Sequence, residues 1–256
     1  MEAVAATTET APMTAPGAGS ETPDAASAML DVSGVNQFYG ESHTLWDAGL
    51  VIPKGACVCL MGRNGVGKTT LLKVIMGLLP PVSSKMKLGG ETLLPGRPEL
   101  RARMGIGYVP QGREIFPQLT VEENLRLGLT PHRRRDIPKR VFELFPVLKK
   151  ILGRRGGDLS GGQQQQLAIG RALASDPKLL ILDEPTEGIQ PNIVHEIGDI
   201  IIRLNHEGLS VLLVEQKLPF ARRVGNVFCI MDRGRTVAEG KMSDLNDDLV
   251  RQHLVV

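Results

Sequence analysis

The sequence predicts an α/β fold with a mainly parallel core sheet, covering helices, an antiparallel β edge and an inserted helical subdomain. Short, continuous apolar runs separated by helical patterns are typical of buried parallel strands. Between residues 112 and 175 the strand pattern disappears and helical spacing replaces it. A chain of 256 residues, 42% hydrophobic and 23% charged, is long and apolar enough to bury one large core of this kind.

The predicted core strands each have an apolar centre and no internal turn residues. They are the runs 56–62, 104–110, 178–185, 209–216 and 226–232. The earlier segment 30–40 alternates apolar and polar residues, which indicates an antiparallel edge strand. Residues 1–28 contain no Lys or Arg and almost no large apolar side chain, so we expect a disordered tail before a domain at 29–256.

The helical stretch has recognisable helix starts and breaks. Thr120 followed by Glu123 matches a capping box, which predicts a helix beginning there. The apolar spacing over 138–152 predicts a further helix, interrupted at Pro146. Basic clusters at 132–136 and 153–155 are expected on a solvated face, with contact to anionic lipid or an acidic partner as the alternative.

Charge and cysteine content exclude several classes of protein. The net charge of +2 is too small to indicate a nucleic-acid partner. No apolar stretch approaches the ~20 residues that span a bilayer, so the isolated chain is expected to be soluble. Cys57, Cys59 and Cys229 fall in predicted strands, where buried thiols are a better interpretation than a metal site.

The segment GRNGVGKTT follows one predicted strand and precedes a helical pattern. It matches G-x-x-x-x-G-K-[ST], the phosphate-binding loop of nucleotide enzymes. The predicted nucleotide contacts, called the phosphate loop below, are Gly62, Arg63, Asn64, Gly65, Val66, Gly67, Lys68, Thr69 and Thr70. Glycines let backbone amides turn towards phosphate oxygens. Lys68 is expected to reach the β- and γ-phosphates, and the Thr69 hydroxyl to hold Mg²⁺.

Acidic and amide side chains end two of the predicted core strands. LLILDEP places Asp183 at a carboxyl strand end beside the phosphate loop, where it can hold Mg²⁺. Glu184 follows it and could orient or deprotonate an attacking water. Asp183 and Glu184 are called the acid pair below. A solvated strand end is the alternative, but the phosphate loop favours catalysis. VLLVEQ ends in Glu215 and Gln216 at the same sheet edge.

One further motif narrows the class of nucleotide enzyme. LSGGQ lies at residues 159–163, before a helical pattern that leads to the acid pair. The phosphate loop, LSGGQ and the acid pair, in this order, resemble those of the ATP-binding subunits of ABC transporters. The resemblance extends from about residue 30 to the C-terminus. A kinase or GTPase would lack LSGGQ, and a DNA- or ribosome-acting ABC ATPase would need coiled-coil arms or duplicated cassettes, which the sequence lacks.

The resemblance implies roles for several further residues. ATP is the implied nucleotide, Tyr39 would stack on its adenine, and a core tyrosine is the alternative. Gln111 would contact Mg²⁺ and the attacking water, so that the implied metal ligands are Thr69, Gln111 and Asp183. The implied signature residues are Leu159, Ser160, Gly161, Gly162 and Gln163. In the family, this signature closes over the γ-phosphate held by a second subunit.

The implied assembly follows from that arrangement. A chain with one phosphate loop and one signature would act as a dimer, here a heterodimer with a second ATP-binding subunit. Two membrane permease subunits and, indirectly, an extracytoplasmic solute-binding protein are the other implied partners. The implied location is the cytoplasmic face of the inner membrane, where the chain would be held peripherally.

Two positions depart from the common family pattern. Gln190 stands where the family has the Asp of the D-loop, which is residues 187–190 here. Gln216 stands where the family has a switch His. Its amide can donate to a phosphate and accept from water, but it cannot become cationic. We therefore predict weak but real ATPase activity, with Glu184, Gln216 and Gln111 as catalytic residues and Glu215 as an orienting or surface acid.

The same departures resemble one branch of importers. TEG followed by Pro191, together with VEQ, resembles the ATPases that serve branched-chain amino acids and related small polar solutes. QGREIFPQLTVEENL, GRRGGDLSGGQQQQLAIGRALAS and DEPTEGIQP resemble the last-encoded ATP-binding subunit of the urea importer. The resemblance implies urea as solute. A branched-chain amino acid importer and a binding-only regulatory subunit are the alternatives.

Overall fold

The computed structural model describes residues 28–129 and 136–254. The predicted tail lies outside the described residues, except that Ala28, its last residue, already begins the first strand. Residues 132–135 of the first basic cluster also lie outside them, whereas Arg154 and Arg155 of the second are exposed. In the described part of the chain, no helix has both the length and the apolar character needed to cross a membrane.

The described residues form two sheets. Their strands are β1 (Ala28–Tyr39), β2 (Ser42–Pro53), β3 (Cys57–Met61), β4 (Ser83–Leu88), β5 (Glu91–Thr92), β6 (Ile106–Val109), β7 (Leu179–Asp183), β8 (Ser210–Val214), β9 (Val227–Asp232) and β10 (Arg235–Lys241). The core sheet has the order β10-β9-β3-β8-β7-β6, and only β10 pairs antiparallel within it. The second sheet, β2-β1-β4-β5, is antiparallel throughout.

These sheets confirm the predicted fold. All five core runs became parallel strands, because their apolar side chains are buried on both faces of the sheet. The alternating segment 30–40 is antiparallel as expected. It is not an edge strand, however, because β1 pairs with both β2 and β4 in a separate sheet, and β10 supplies the antiparallel edge of the core sheet.

Helices cover both faces of the core sheet. They are α1 (Lys68–Ile75), α2 (Pro98–Met104), α3 (Val121–Leu127), α4 (Lys139–Leu144), α5 (Pro146–Lys150), α6 (Gly161–Ala174), α7 (Pro191–His206), α8 (Leu218–Val224) and α9 (Asp247–His253). Apolar residues of α1 pack between the core sheet and the antiparallel sheet. Those of α3 to α8 form a second cluster on the other face of the core sheet.

The predicted helical stretch contains α3 to α6. Thr120 and Glu123 form the predicted capping box at the start of α3. The predicted break falls between α4 and α5, because Pro146 cannot donate a backbone hydrogen bond but fits the first turn of a helix. The three cysteines are buried on β3 and β9 with free thiols, as predicted.

Candidate functional site

The phosphate loop joins β3 to α1 and is packed tightly against neighbouring backbone. Gly62 has φ 149° and Gly67 has φ 107°, both in the region that favours glycine. A Cβ at Gly62 would lie 2.4 Å from the Met231 carbonyl oxygen, and one at Gly67 would lie 2.8 Å from Leu45 Cδ2. Glycine is therefore required at both positions. The loop leads directly into the positive end of α1, which suits an anion.

Lys68 is folded back onto this loop. It is only 5% exposed, and its Nζ donates to the carbonyl oxygens of Gly62, at 2.7 Å, and Arg63, at 2.9 Å. Burial lowers the pKa of its ammonium group, while the charges of Glu184 and Asp183 oppose that shift. The cation is thus held at the base of the loop by two carbonyls and two nearby acids.

Asp183 lies at the carboxyl end of β7 and is 2% exposed. Neither of its buried oxygens has a hydrogen bond of acceptable geometry among the described residues. Burial and the charge of Glu184 raise its pKa to about 6, although Lys68, the Thr69 hydroxyl and the Gln111 backbone N–H lie close enough to oppose the shift. A buried carboxylate with two unmet oxygens beside the Thr69 hydroxyl fits a divalent cation such as Mg²⁺.

Glu184 is held between two amides. Its backbone has φ 49°, and its N–H donates to the Val214 carbonyl oxygen at 2.9 Å, so the acid pair is tied to the end of β8. Its carboxylate accepts from Gln216 Nε2 and, at 3.4 Å, from Gln111 Nε2. Gln216 Nε2 also donates to Asn64 Oδ1 at 2.7 Å. The structure therefore brings the predicted acid, both predicted amides and the phosphate loop together.

Glu215 orients the segment after β8, residues 216 and 217, which contains the switch position Gln216. It is 2% exposed, and its Oε1 accepts from the backbone N–H groups of Gln216, at 2.9 Å, and Lys217, at 3.0 Å. Its Oε2 accepts from the Thr186 hydroxyl at 2.7 Å, and Lys217 Nζ donates to the Thr186 carbonyl oxygen at 3.0 Å. The prediction of an orienting acid is confirmed. Thr186 itself was not predicted, because its partner lies 29 positions away.

The segment after β6, residues 111–114, is called the Q-loop here. Gly112, Arg113 and Glu114 have φ angles of 83°, 71° and 43°. Such a run of positive φ values is costly and persists only when surrounding contacts hold it. The Arg113 guanidinium donates to Gln164 Oε1 on α6 at 3.2 Å and to the Glu187 carbonyl oxygen at 3.3 Å. Arg113 therefore joins the Q-loop to the signature helix and to the D-loop, a role that the sequence did not indicate.

The signature lies at the start of α6. The Ser160 hydroxyl accepts from the Gln163 backbone N–H at 3.3 Å, and Gln163 Oε1 accepts from the Ser160 N–H at 3.1 Å. This capping box satisfies two free amides of the helix end. The signature faces a cleft of about 770 Å³ that Gln190 and Ile193 also line. Among the described residues that line it, none belongs to the phosphate loop.

Tyr39 ends β1 and is 48% exposed, so the alternative of a core tyrosine is wrong. Its ring is open for stacking, but no described contact joins it to the phosphate loop. Gln190 precedes α7 in the N-cap position without making a side-chain cap there. Both positions are thus exposed, and what they bind stays a prediction.

Comparison with known proteins identifies the family. A family model described as ABC transporter matches residues 45–187. The branched-chain amino acid transport ATP-binding protein BraG of Pseudomonas aeruginosa is 42% identical over 212 residues, which cover 82% of this chain and 91% of that protein. The protein named probable branched-chain amino acid transport ATP-binding protein LivF, of Archaeoglobus fulgidus, is 35% identical over 221 residues, which cover 85% of this chain and 94% of that protein.

A solved structure supports the same conclusion. A dimeric ATP-binding cassette in a post-hydrolysis state, bound to ADP and Pi, superposes with a TM-score of 0.74 and 27% identity, covering 84% of this chain and 99% of that chain. The phosphate loop, the acid pair and the signature lie in the fold that such cassettes share. The chain therefore belongs to the ABC transporter family, as an ATP-hydrolysing subunit of such a transporter.

Proposed function

We propose that this chain hydrolyses Mg²⁺-ATP with Glu184 as the general base. The observation that carries this proposal is the placement of the Glu184 carboxylate between the amides of Gln111 and Gln216, one of which also reaches Asn64 of the phosphate loop. A carboxylate so placed can accept a proton from a water that attacks the γ-phosphate. The two amides position water and phosphate without changing charge, and Lys68 balances the phosphate charge.

Thr69, Gln111 and Asp183 are the proposed Mg²⁺ ligands. The two unmet, buried oxygens of Asp183 support this assignment, because a buried carboxylate needs either hydrogen bonds or a cation. When bound, Mg²⁺ neutralises charge on the β- and γ-phosphates. The remaining nucleotide contacts are proposed to come from Tyr39 and from the backbone amides of the phosphate loop.

The proposed active form is a dimer in which each signature closes over the partner's nucleotide. Support comes from the cleft, since its described lining includes the signature but no phosphate-loop residue. We propose a heterodimer with a second ATP-binding subunit, held by two permeases on the cytoplasmic face of the inner membrane. A solute-binding protein would act indirectly, and no nucleic acid is involved. The domain is proposed to cover 29–256, with a helical subdomain at about 112–175.

Urea or a related small polar solute is the proposed cargo, with import as the direction. The resemblance of DEPTEGIQP and neighbouring segments to urea-importer ATPases supports it. The similarity to BraG favours branched-chain amino acids as the second candidate. A deletion strain complemented with wild-type or Glu184→Gln chain would be assayed for uptake of labelled urea and labelled leucine.

Urea uptake should be lost in the deletant and restored only by the wild-type chain, with leucine uptake unchanged. The reverse pattern would assign the chain to branched-chain amino acids. Full restoration of uptake by Glu184→Gln would contradict Glu184-dependent hydrolysis and favour a binding-only subunit.

A further inference from the structure

Glu187, the first residue of the D-loop, has the closest contact to the Q-loop amide. Gln111 Nε2 lies 2.9 Å from Glu187 Oε2 and 3.4 Å from Glu184 Oε2. The shorter distance is typical of a good hydrogen bond, whereas the longer one is near the limit. The stronger partner of Gln111 is therefore Glu187, which lies outside both the phosphate loop and the acid pair.

Chemistry fixes which way this amide points. A carboxylate can only accept, so the atom of Gln111 that faces Glu187 and Glu184 must be its NH₂ group. An amide flipped by half a turn would place its oxygen against two carboxylates, which is repulsive. The two acids together therefore keep the Gln111 oxygen outside these contacts, as the atom available to a cation.

The backbone of Glu187 is fixed from both sides. Its N–H donates to the Glu184 carbonyl oxygen at 3.2 Å, which closes a turn after the acid pair. Its own carbonyl oxygen accepts from Arg113, which also bonds Gln164 on α6. Glu187 is thus held relative to the acid pair, the Q-loop and the signature helix at once.

Removing Glu187 would leave Gln111 with one remaining carboxylate. Its NH₂ group would then donate to Glu184 alone. The proposed general base would therefore accept a stronger hydrogen bond from Gln111, because Glu187 would no longer compete for it. The amide would also lose the partner that fixes its orientation, and a flip would cost less. Both changes act on Gln111 and Glu184 without touching the phosphate loop.

We infer that Glu187 is a positioning residue for hydrolysis: it holds the NH₂ group of Gln111, so that the amide oxygen faces the metal and Gln111 makes only a long contact with Glu184. This inference rests on the proposed role of Gln111 as a Mg²⁺ ligand. Glu187 touches neither nucleotide nor metal in this account. Its effect should appear only where Mg²⁺ and Gln111 act.

The test compares nucleotide binding with and without the metal. Binding of a fluorescent ATP analogue to the full chain is titrated in Mg²⁺ and in EDTA, for wild type, Glu187→Ala and Glu187→Gln. In Glu187→Ala, the factor by which Mg²⁺ increases nucleotide affinity should be about fivefold smaller than in wild type, because a charge-assisted hydrogen bond at a partly exposed site is lost. The affinity in EDTA should be unchanged. Glu187→Gln, whose carbonyl can still accept, should keep most of that gain.

Two controls separate this inference from the proposed site. Glu91→Ala removes an exposed acid on β5 and should change neither titration. Gln111→Ala should lower the gain from Mg²⁺ at least as much as Glu187→Ala, and adding Glu187→Ala to it should have no further effect, because the two residues act together. In the assembled transporter, Glu187→Ala should lower kcat more than it raises the KM for ATP.

Several results would overturn the inference. If Gln111→Ala lowers the gain from Mg²⁺ and Glu187→Ala does not, Glu187 has no positioning role while the proposed metal site stands. If Gln111→Ala leaves the gain unchanged, the metal role of Gln111 fails and the inference fails with it. Equal losses in Mg²⁺ and EDTA for Glu187→Ala would indicate a general structural effect and would also overturn it.

Discussion

The end of the parallel sheet and the start of α6, the two proposed halves of an ATP site, are built in different ways. At the sheet end, side chains from separate strands contact one another, as Gln216 does with Asn64 and Glu184. At the start of α6, Ser160 and Gln163 bond each other within their own helix end and face an open cleft. The first half is assembled by the fold of one chain, whereas the second is a preformed surface that we propose to face a partner.

The largest expected effect lies in the first half. Glu184→Gln should lower kcat by about 10²–10⁴-fold, because an amide cannot accept the proton of the attacking water. Phosphate release by the assembled transporter measures it. ATP binding to the isolated chain should persist, because Lys68 and the glycines are untouched. Retention of more than a tenth of the wild-type rate would remove Glu184 from the role of base.

Thr186→Val tests how tightly this half is assembled. The substitution keeps the shape of the side chain but removes the hydroxyl that donates to the buried Glu215. Removing the donor of a buried carboxylate should lower the free energy of unfolding by about 1–3 kcal/mol. Urea denaturation measures the loss, and Thr186→Ser, which keeps the hydroxyl, is the matched control. Equal stability of the two variants would show that the Glu215 contact adds nothing.

Asp183→Asn should stabilise the nucleotide-free chain at neutral pH. The carboxyl pKa is raised from an ordinary 3.8 to about 6, so the folded state binds a proton that the unfolded state releases between these values. The charged form therefore costs stability above pH 6, and the cost disappears below about pH 4. The variant should gain about 1–3 kcal/mol at pH 7.5 in EDTA, shrinking as the pH falls. A gain independent of pH would contradict this.

Gln216→His should have the smallest effect on rate. A neutral imidazole can donate to Glu184 as the amide does, so kcat should stay within about tenfold of wild type. The variant should acquire a pH dependence near 6–7 that the wild-type switch lacks, because only the imidazole titrates there. The ratio of the two rates from pH 6 to pH 8 measures it. A constant ratio would show that this position does not face the reacting groups.

The sequence predicted where the residues of the first half lie, because most of them belong to short continuous motifs at strand ends. The phosphate loop and Glu184 each follow a buried strand, Asp183 is the last residue of one, and parallel strands bring their carboxyl ends to one edge. Contacts across long separations were not predictable in this way. Gln111 meets Glu187 across 76 positions, and Arg113 bonds Gln164 across 51, with no local pattern to indicate either. The sequence predicted the second sheet only as an antiparallel edge. The alternation of apolar and polar residues identifies a single strand but not the strands that pair with it.

The signature is proposed to serve the partner's nucleotide and not the chain's own. Ser160→Asp keeps a good helix cap but adds a negative charge that repels a γ-phosphate, and Ser160→Asn keeps the cap without the charge. ATP affinity of the isolated chain and phosphate release by the assembled transporter would be measured for both. Ser160→Asp should leave the affinity unchanged and abolish phosphate release, while Ser160→Asn should retain most of the release. Weaker ATP binding by the isolated Ser160→Asp chain would contradict the claim.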